Sequence, residues 1–309
     1  MTQITVVGSF AVGLTIRTET MPIFGQTVLG SDFDFGPGGK GSNQAVGVAR
    51  LGANSALVTC LGHDELAGVA DKLYADEGVD GRCIERTDAR ATGAGMIILN
   101  AAGENFIILD MGANELMDAA FVDRAGDRIA QSDIVMAVLE IPVPAAHRAM
   151  ELGKAAGART ILNPAPATAL PDTIFAHVDY LTPNESELRI LMGLGADDPT
   201  GTRDLAVQLR QRGVGTVIVT MGDKGALVLA DDQDLIVPTP QVDVVDTTGA
   251  GDAFNAGFAA AIGEGRPLAD AVAFGTAAGA HACTRLGVIP SLATRAELET
   301  LIEDRSSNP

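Results

Sequence analysis

Two periods of apolar and polar residues divide the chain. From residue 54 onward, short apolar runs at 56–60, 134–139, 160–162, 178–181 and 216–219 are separated by stretches with helical spacing near 65–77, 115–130, 144–156, 184–192 and 202–212. A run that is apolar throughout is buried on both faces, so strands of this kind alternating with helices predict a mostly parallel sheet flanked by helices. Ile4-Thr5-Val6-Val7-Gly8-Ser9 has the same character, and its Gly-Ser end suits a strand whose carboxyl end opens toward a site. The second period is two. Leu14-Thr15-Ile16-Arg17 and Asp32-Phe33-Asp34-Phe35 alternate between breaks at Pro22, Gly25 and Gly30, as strands with one wet face do. Residues 95–100 and 105–109 flank the turn residues Ala101-Ala102-Gly103-Glu104 and predict a hairpin. These stretches, about 13–35 and 95–110, predict a small β-sheet projecting from a single α/β domain over 1–309. The chain ends in a polar segment, 305–309, that reads as loose.

Polar residues gather where the predicted parallel strands end: Glu140, Asn163 with Pro164 and Pro166, Asn184 with Glu185 and Glu187, and Thr220 with Gly222 and Gly225. Open α/β sheets place ligands there. The most informative stretch is Asp246-Thr247-Thr248-Gly249-Ala250-Gly251-Asp252, which runs into the Ala-rich segment 253–262. A small-residue turn followed by a helix puts Gly249, Ala250 and Gly251 where backbone N–H groups lack helical partners and the dipole is positive, an anion site. Asp252 sits inside it. A carboxylate there is an unsuitable anion ligand but a suitable general base, able to take a hydroxyl proton while the amides hold the group under attack. An acidic first turn behind an N-cap has the same local pattern, so these seven residues alone leave both readings open.

Charge and cysteine content narrow the class. Forty acidic against 21 basic residues give a net charge of −19, which argues against nucleic acid or an anionic membrane surface as partner. Cys60, Cys83 and Cys283 are scattered and form no CxxC, which suits a reducing compartment and predicts a cytoplasmic protein. Residues 1–8 lack the basic and apolar regions of a secretion signal, and no segment approaches the ~18 apolar residues of a membrane span. The four histidines have no HExxH or other ligand spacing, so no zinc site is expected.

Gly36-Pro37-Gly38-Gly39-Lys40-Gly41-Ser42-Asn43-Gln44-Ala45 contains a formal GxGxxG. A dinucleotide fingerprint should follow a buried apolar strand, whereas 32–35 alternates, and Lys40 would stand where backbone must approach a pyrophosphate. Lys40 and Asn43 instead offer a donor and a donor–acceptor pair for a polyhydroxy ligand. GxxxxGK[ST] is absent.

Taken together these residues resemble the ribokinase-like carbohydrate kinases of the PfkB family over essentially the whole length. The stretches 38–45 and 246–252 are similar to its two signatures. Asn163-Pro164-Ala165-Pro166, Thr182-Pro183-Asn184-Glu185, Thr220-Met221-Gly222-Asp223-Lys224-Gly225 and Thr284-Arg285-Leu286-Gly287 with Pro290-Ser291 follow the family's order. The resemblance implies that Asp252 deprotonates a sugar hydroxyl and that the Gly249, Ala250 and Gly251 segment holds the phosphoryl group. It implies sugar contacts from Gly39, Lys40, Asn43 and Glu140, with the small sheet acting as a lid. Asn184 and Glu187 match an element that helps hold Mg²⁺ through water, and Thr220, Gly222, Lys224, Gly225 and Thr276 match ATP-binding positions. Asp246, Thr248, Ala282, Arg285, Gly287 and Ser291 match a K⁺ site, with Arg285 giving only its backbone oxygen. A homodimer through the lid is implied as well.

One departure matters. Ribokinases proper carry an aspartate five residues after the glycine of the first strand to grip two sugar hydroxyls, and here that position is Gly13. The expected activity is ATP-dependent phosphorylation of a hydroxymethyl group on a small sugar or polyol, with ribose a poor substrate. A nucleoside kinase, or a non-catalytic sugar or nucleotide sensor on the same fold, are the alternatives. A sugar phosphate ranks lower, since Arg17 and Arg90 are the obvious lid cations.

Overall fold

Strands whose residues are apolar on both faces must be covered on both sides, and the computed structural model, which describes residues 1–100 and 105–307, satisfies this with two helical layers. The chain opens with β1 (Gln3–Val7), β2 (Ala11–Thr18), β3 (Gly30–Gly38) and α1 (Lys40–Arg50). There follow β4 (Asn54–Gly62), α2 (Glu65–Glu77), β5 (Asp80–Thr87), β6 (Gly93–Asn100), β7 (Asn105–Asp110), α3 (Ala119–Arg124) and α4 (Gly126–Ala130). The central part is β8 (Ile134–Val138), α5 (Val143–Ala155), β9 (Arg159–Asn163), β10 (Tyr180–Leu181), α6 (Glu185–Leu191), α7 (Thr202–Gln211) and β11 (Thr216–Thr220). The last part is β12 (Ala226–Leu229), β13 (Asp234–Val237), α8 (Ala250–Gly263), α9 (Leu268–Ala282), α10 (Val288–Ser291) and α11 (Arg295–Ser307).

The large sheet runs β13-β12-β11-β10-β9-β8-β1-β4-β5, parallel except for β12 and β13 at one edge. Side chains alternate between its faces. Ile4, Val6, Ile134, Met136 and Ile218 join the core under α1, α2, α8, α9 and α11, while Val7, Val135, Ala137, Val217 and Val219 join the core under α3 to α7. The strand order reverses at β1, which has β4 on one side and β8 on the other. Two ends of the chain's polar pattern meet at this reversal, Ser9 after β1 and Glu140 after β8. A Cβ on Gly41 would lie 2.5 Å from the Gly8 carbonyl carbon, so only glycine lets α1 start directly on the carboxyl end of β1.

The small sheet runs β3-β2-β6-β7, antiparallel except for the β2–β6 pair, and stands apart from the large one. Asn114, fully buried, ties its two roots together: its side chain accepts from Phe10 N–H at 3.0 Å and donates to the carbonyls of Phe10 at 2.8 Å and Met111 at 2.7 Å.

Several expectations are corrected. The helix expected near 115–130 is a 3-10 turn at Gly112–Leu116 followed by α3 and α4, because the Asp118 side chain accepts from Phe121 N–H at 2.7 Å and starts a new helix there. The strand expected at 178–181 shrinks to β10. β5, β12 and β13 are strands that the apolar-run criterion passes over, since β5 and β13 are half-exposed edges. The segment expected to be loose is helical to Ser307, and the Glu297 carboxylate, accepting from Thr294 N–H at 2.9 Å and its hydroxyl at 2.8 Å, fastens the start of that helix. Residues 308–309 and the predicted turn at 101–104 lie outside the described residues, whereas β6 and β7 pair in the antiparallel register of a hairpin. Among the described residues, no helix is long and apolar enough to cross a membrane.

Candidate active site

α8 begins at Gly249, whose φ of 80° turns the chain into the helix, and no side chain caps its first amides. Asp252 in the first turn is 4% exposed. Burial of a carboxylate demands donors. Asn43 Nδ2 donates to its Oδ2 at 2.8 Å and Gln44 Nε2 to its Oδ1 at 3.1 Å. Gln44 also donates to Asn163 Oδ1 at 3.0 Å, Asn163 donates to the Thr182 carbonyl at 3.2 Å, and the Thr182 hydroxyl donates to Asn255 Oδ1 at 2.7 Å. Asn255 closes the chain on the Gly251 carbonyl at 2.8 Å. Consecutive residues of α1 thus grip both oxygens of Asp252, and β9, the end of β10 and α8 hold the grip in place.

Lys40 joins this site from the start of α1. Burial alone would lower its pKa, but Asp252, Glu140 and Glu187 around it prevail and hold it above the usual lysine value. Glu140 is fixed in turn, its Oε2 accepting from the Ser9 hydroxyl at 2.6 Å and the Lys40 N–H at 2.7 Å. Burial pushes the Glu187 carboxyl up, partly offset by the Asn184 N–H and by Lys40. Asn184 and Glu187 form a reciprocal cap on α6, Asn184 N–H to Glu187 Oε2 at 2.8 Å and Glu187 N–H to Asn184 Oδ1 at 2.8 Å. The Asn43 Oδ1 is buried with no partner. A ligand hydroxyl reaching it would satisfy it.

On the other side of Asp252, Ala250 and Gly251 line a cavity of about 330 Å³, the size of a small-ligand site. Thr220, Gly222, Gly225 and Thr276 line it, and Val242, Val244 and Phe254 give it apolar walls. Asn184 lines the adjoining groove with Thr220 and Gly222. Lys224 does not line the cavity: it stands exposed on the turn beside Asp223, which does. The Ala250 N–H reaches the Thr247 carbonyl at 3.2 Å, so that amide is not free as the sequence reading supposes.

The residues of the expected cation loop are also drawn together. Asp246 Oδ1 accepts from Thr248 N–H at 2.9 Å and its hydroxyl at 2.7 Å, and Oδ2 lies 3.4 Å from Gly287 N. Burial would raise Asp246, but these bonds outweigh it and keep the carboxyl below its usual range. His281, next to Ala282, meets the Ser291 carbonyl at 3.1 Å, and the Arg285 side chain turns away to Glu297 at 2.9 Å.

Gly13 lies on β2 directly opposite Gly36 of β3 and Gly95 of β6. The three form a side-chain-free row across adjacent strands. A Cβ on Gly13 would meet only Ile97 Cδ1 at 3.6 Å and the Gly36 carbonyl at 3.9 Å, ordinary contacts.

A carboxylate between a polar cleft and a nucleotide-sized cavity, at the reversal point of an open α/β sheet, is the layout of a small-molecule kinase. The comparisons agree. The pfkB family carbohydrate kinase description matches residues 1–295. The chain is 35% identical to the ribokinase of Haemophilus influenzae over 300 residues, 97% of this chain and 98% of that protein. With the deoxyribokinase of Salmonella typhi it shares 37% over 258 residues, 83% and 84% of the two chains. The structure of Arabidopsis thaliana ribokinase complexed with ribose and ATP matches with a TM-score of 0.92 at 30% identity, covering 98% of this chain and 99% of that one. The chain belongs to the pfkB family of carbohydrate kinases, and its fold is the ribokinase-like one expected.

Gln44 and Asn255 are the residues that sequence reading leaves out of the site. Gln44 adjoins Asn43 in the motif, and Asn255 is a lone amide in an Ala-rich helix; a polar residue within an apolar helix was the available signal. Replacing Gln44 by Leu should lower kcat about 10- to 100-fold, since a misplacement of about 1 Å in a catalytic group costs that much. Nucleotide KM should stay within a factor of three of wild type, roughly the scatter of such measurements. Steady-state kinetics at saturating sugar checks this, and an unchanged kcat would show that Gln44 does not position Asp252.

Proposed function

We propose that the protein, acting as one kinase unit over 1–309, transfers the γ-phosphoryl group of ATP to a hydroxymethyl group of a small sugar or polyol. The observation that carries this is Asp252, buried at the start of α8 between the Lys40–Glu140–Asn43 cluster and the cavity lined by Ala250 and Gly251. The sugar binds against Gly39, Lys40, Asn43 and Glu140. Asp252 takes the proton of its hydroxyl, the oxygen forms its bond to the γ-phosphorus, and the bond to the β-phosphate oxygen breaks to release ADP. Gly249 opens the helix so that the Gly251 N–H and the dipole face the transferred group, and the Ala250 N–H exchanges its long bond to Thr247 for a phosphoryl oxygen. The base stacks between apolar cavity walls near Thr276, and Thr220, Gly222 and Gly225 border the phosphates.

Asn184 and Glu187 are already bonded to each other, which suits a hard cation that keeps its water shell, so they would hold Mg²⁺ through water. When bound, Mg²⁺ neutralises phosphate charge. Asp246, Thr248, Ala282, Arg285, Gly287 and Ser291 would hold K⁺ with carboxylate and carbonyl oxygens. The anionic Asp246 and the gathered loop fit a large monovalent ion. Three free cysteines fit work in the cytoplasm.

The glycine row at Gly36, Gly13 and Gly95 favours a sugar that needs no carboxylate there, and the similarity to a deoxyribokinase is consistent with such a substrate. Loss of two charge-assisted hydrogen bonds costs about 1.5–3 kcal/mol each. In a panel of sugars, polyols and nucleosides assayed with ATP, Mg²⁺ and K⁺, at least one compound should exceed ribose in kcat/KM by an order of magnitude or more. Gly13→Asp should narrow that gap, because its Cβ has room. Replacing K⁺ with a bulky organic cation should lower the rate. No phosphorylation of any panel member would overturn the kinase reading, and ribose as the preferred substrate would overturn the reading of Gly13.

Phe35, Leu14, Met96 and Ile108 stand in one register row across the small sheet, and Phe35, Met96 and Ile108 are more than half exposed. A second copy of the chain covers this face in a homodimer. Light scattering should give the mass of two chains for wild type and of one for Phe35→Lys; a monomeric wild type contradicts the pairing.

A further inference from the structure

The fold brings together two histidines that the sequence keeps apart. His147 and Glu151 lie one turn apart on α5, and the 3-10 turn Asp172–His177 ends with His177 against the same helix. The His147 Nε2 comes within 3.8 Å of Glu151 Oε1, and the His177 Nε2 comes within 3.9 Å of the same oxygen. One ligand atom from each residue lies within 4.8 Å of the others. Both approaches are too long for hydrogen bonds. The rings, 5.8 Å apart and tilted by 40°, do not stack face to face either. Three donor atoms therefore converge on one point without bonding to each other.

The surroundings fit a cation at that point. The His147 Nε2 is buried and has no hydrogen-bond partner, a state that costs free energy unless something fills it. Glu151 is held by its other oxygen, Oε2, which accepts from Arg148 at 3.0 Å, so Oε1 is presented to the histidines. Arg148 is shared with Asp123 at 2.7 Å, and with the imidazoles neutral the cluster keeps one net negative charge. Lys154, the next cation along α5, is paired with Asp179.

We propose that His147, Glu151 and His177 bind a divalent transition cation of the zinc class. Two imidazole nitrogens and one carboxylate oxygen suit Zn²⁺, Co²⁺, Ni²⁺ or Cu²⁺, whereas Mg²⁺ prefers oxygen ligands and water. Ligand distances of about 2.0–2.2 Å place tetrahedral donors about 3.3–3.6 Å apart, so side-chain movements of about 1 Å close the site around the ion. Water takes the fourth position. The ion clips α5 to the segment that leads into β10, a link the chain otherwise lacks in covalent form.

The test uses the full chain stripped of metal with a chelator and titrated with Zn²⁺ against a chromophoric competitor, in the presence of Mg²⁺. One ion should bind with Kd of about 10 μM or tighter, and Co²⁺ should give the visible absorption of a tetrahedral N/O site. At about a hundredfold excess of Zn²⁺ over Kd, Tm should rise by about 4 °C. His177→Ala and Glu151→Gln should each weaken binding by more than the about 10- to 100-fold that loss of an outer-shell partner costs, and should abolish the Tm rise. Their kinase activity without zinc should equal that of wild type, which shows that they fold. His63→Ala, at an exposed histidine paired with Asp88, should bind zinc as wild type does. Wild-type binding weaker than about 1 mM, or equal binding by wild type and His177→Ala, overturns the proposal.

Discussion

A carboxylate almost fully removed from water is the constraint on which the site depends. Asn43 and Gln44 donate to the two oxygens of Asp252, and Lys40 adds positive charge nearby, which offsets the cost of burying the carboxylate. All three come from the first turn and a half of α1, so the position of that helix decides whether the acid end of α8 is tenable. The contact between Gly8 and Gly41 sets that position, bringing the helix start against the carboxyl end of β1. The same contact brings Ser9 and Lys40 to Glu140, whose Oε2 accepts from both.

The arrangement explains why the polar residues lie at strand ends. β1 and β8 lie side by side at the reversal of strand order, and the space outside their carboxyl ends is bordered by α1 and by the start of α8. The polar cleft takes its donors and acceptors from α1 and Glu140, and the cavity is lined by β11, the loop before α8, α8 and α9. Asp252 bonds to Asn43 and Gln44 on the cleft side and follows Ala250 and Gly251, which line the cavity. The small sheet grows from the same place, because Asn114 ties Phe10 to Met111 at its roots.

Much of this was legible in the sequence because glycine and polar punctuation mark strand ends and helix starts. The motifs at 38–45 and 246–252 announced the two helix starts, and the alternating strands announced a sheet separate from the main one. Edge strands were not legible: β5 is half-exposed and interrupted by charged residues, and β13 is only four residues long. Gln44 and Asn255 in the site, and Asn114 at the roots of the small sheet, were missed because their roles lie in partners 73 to 208 residues away, which spacing along the chain does not report. Lys224 shows a different limit: its place in the motif does not report that its side chain stands exposed on the turn beside the cavity. His177, like Gln44, meets partners distant in sequence, and nothing in its neighbourhood along the chain points to His147.

The most direct test of the account is Asp252→Asn. The amide keeps the shape and the place but cannot accept the proton, so kcat should fall by roughly 10²- to 10⁴-fold while ATP still binds with a Kd near that of wild type. A purified, folded variant that keeps more than about a third of the wild-type turnover would show that proton transfer to Asp252 is not part of the reaction.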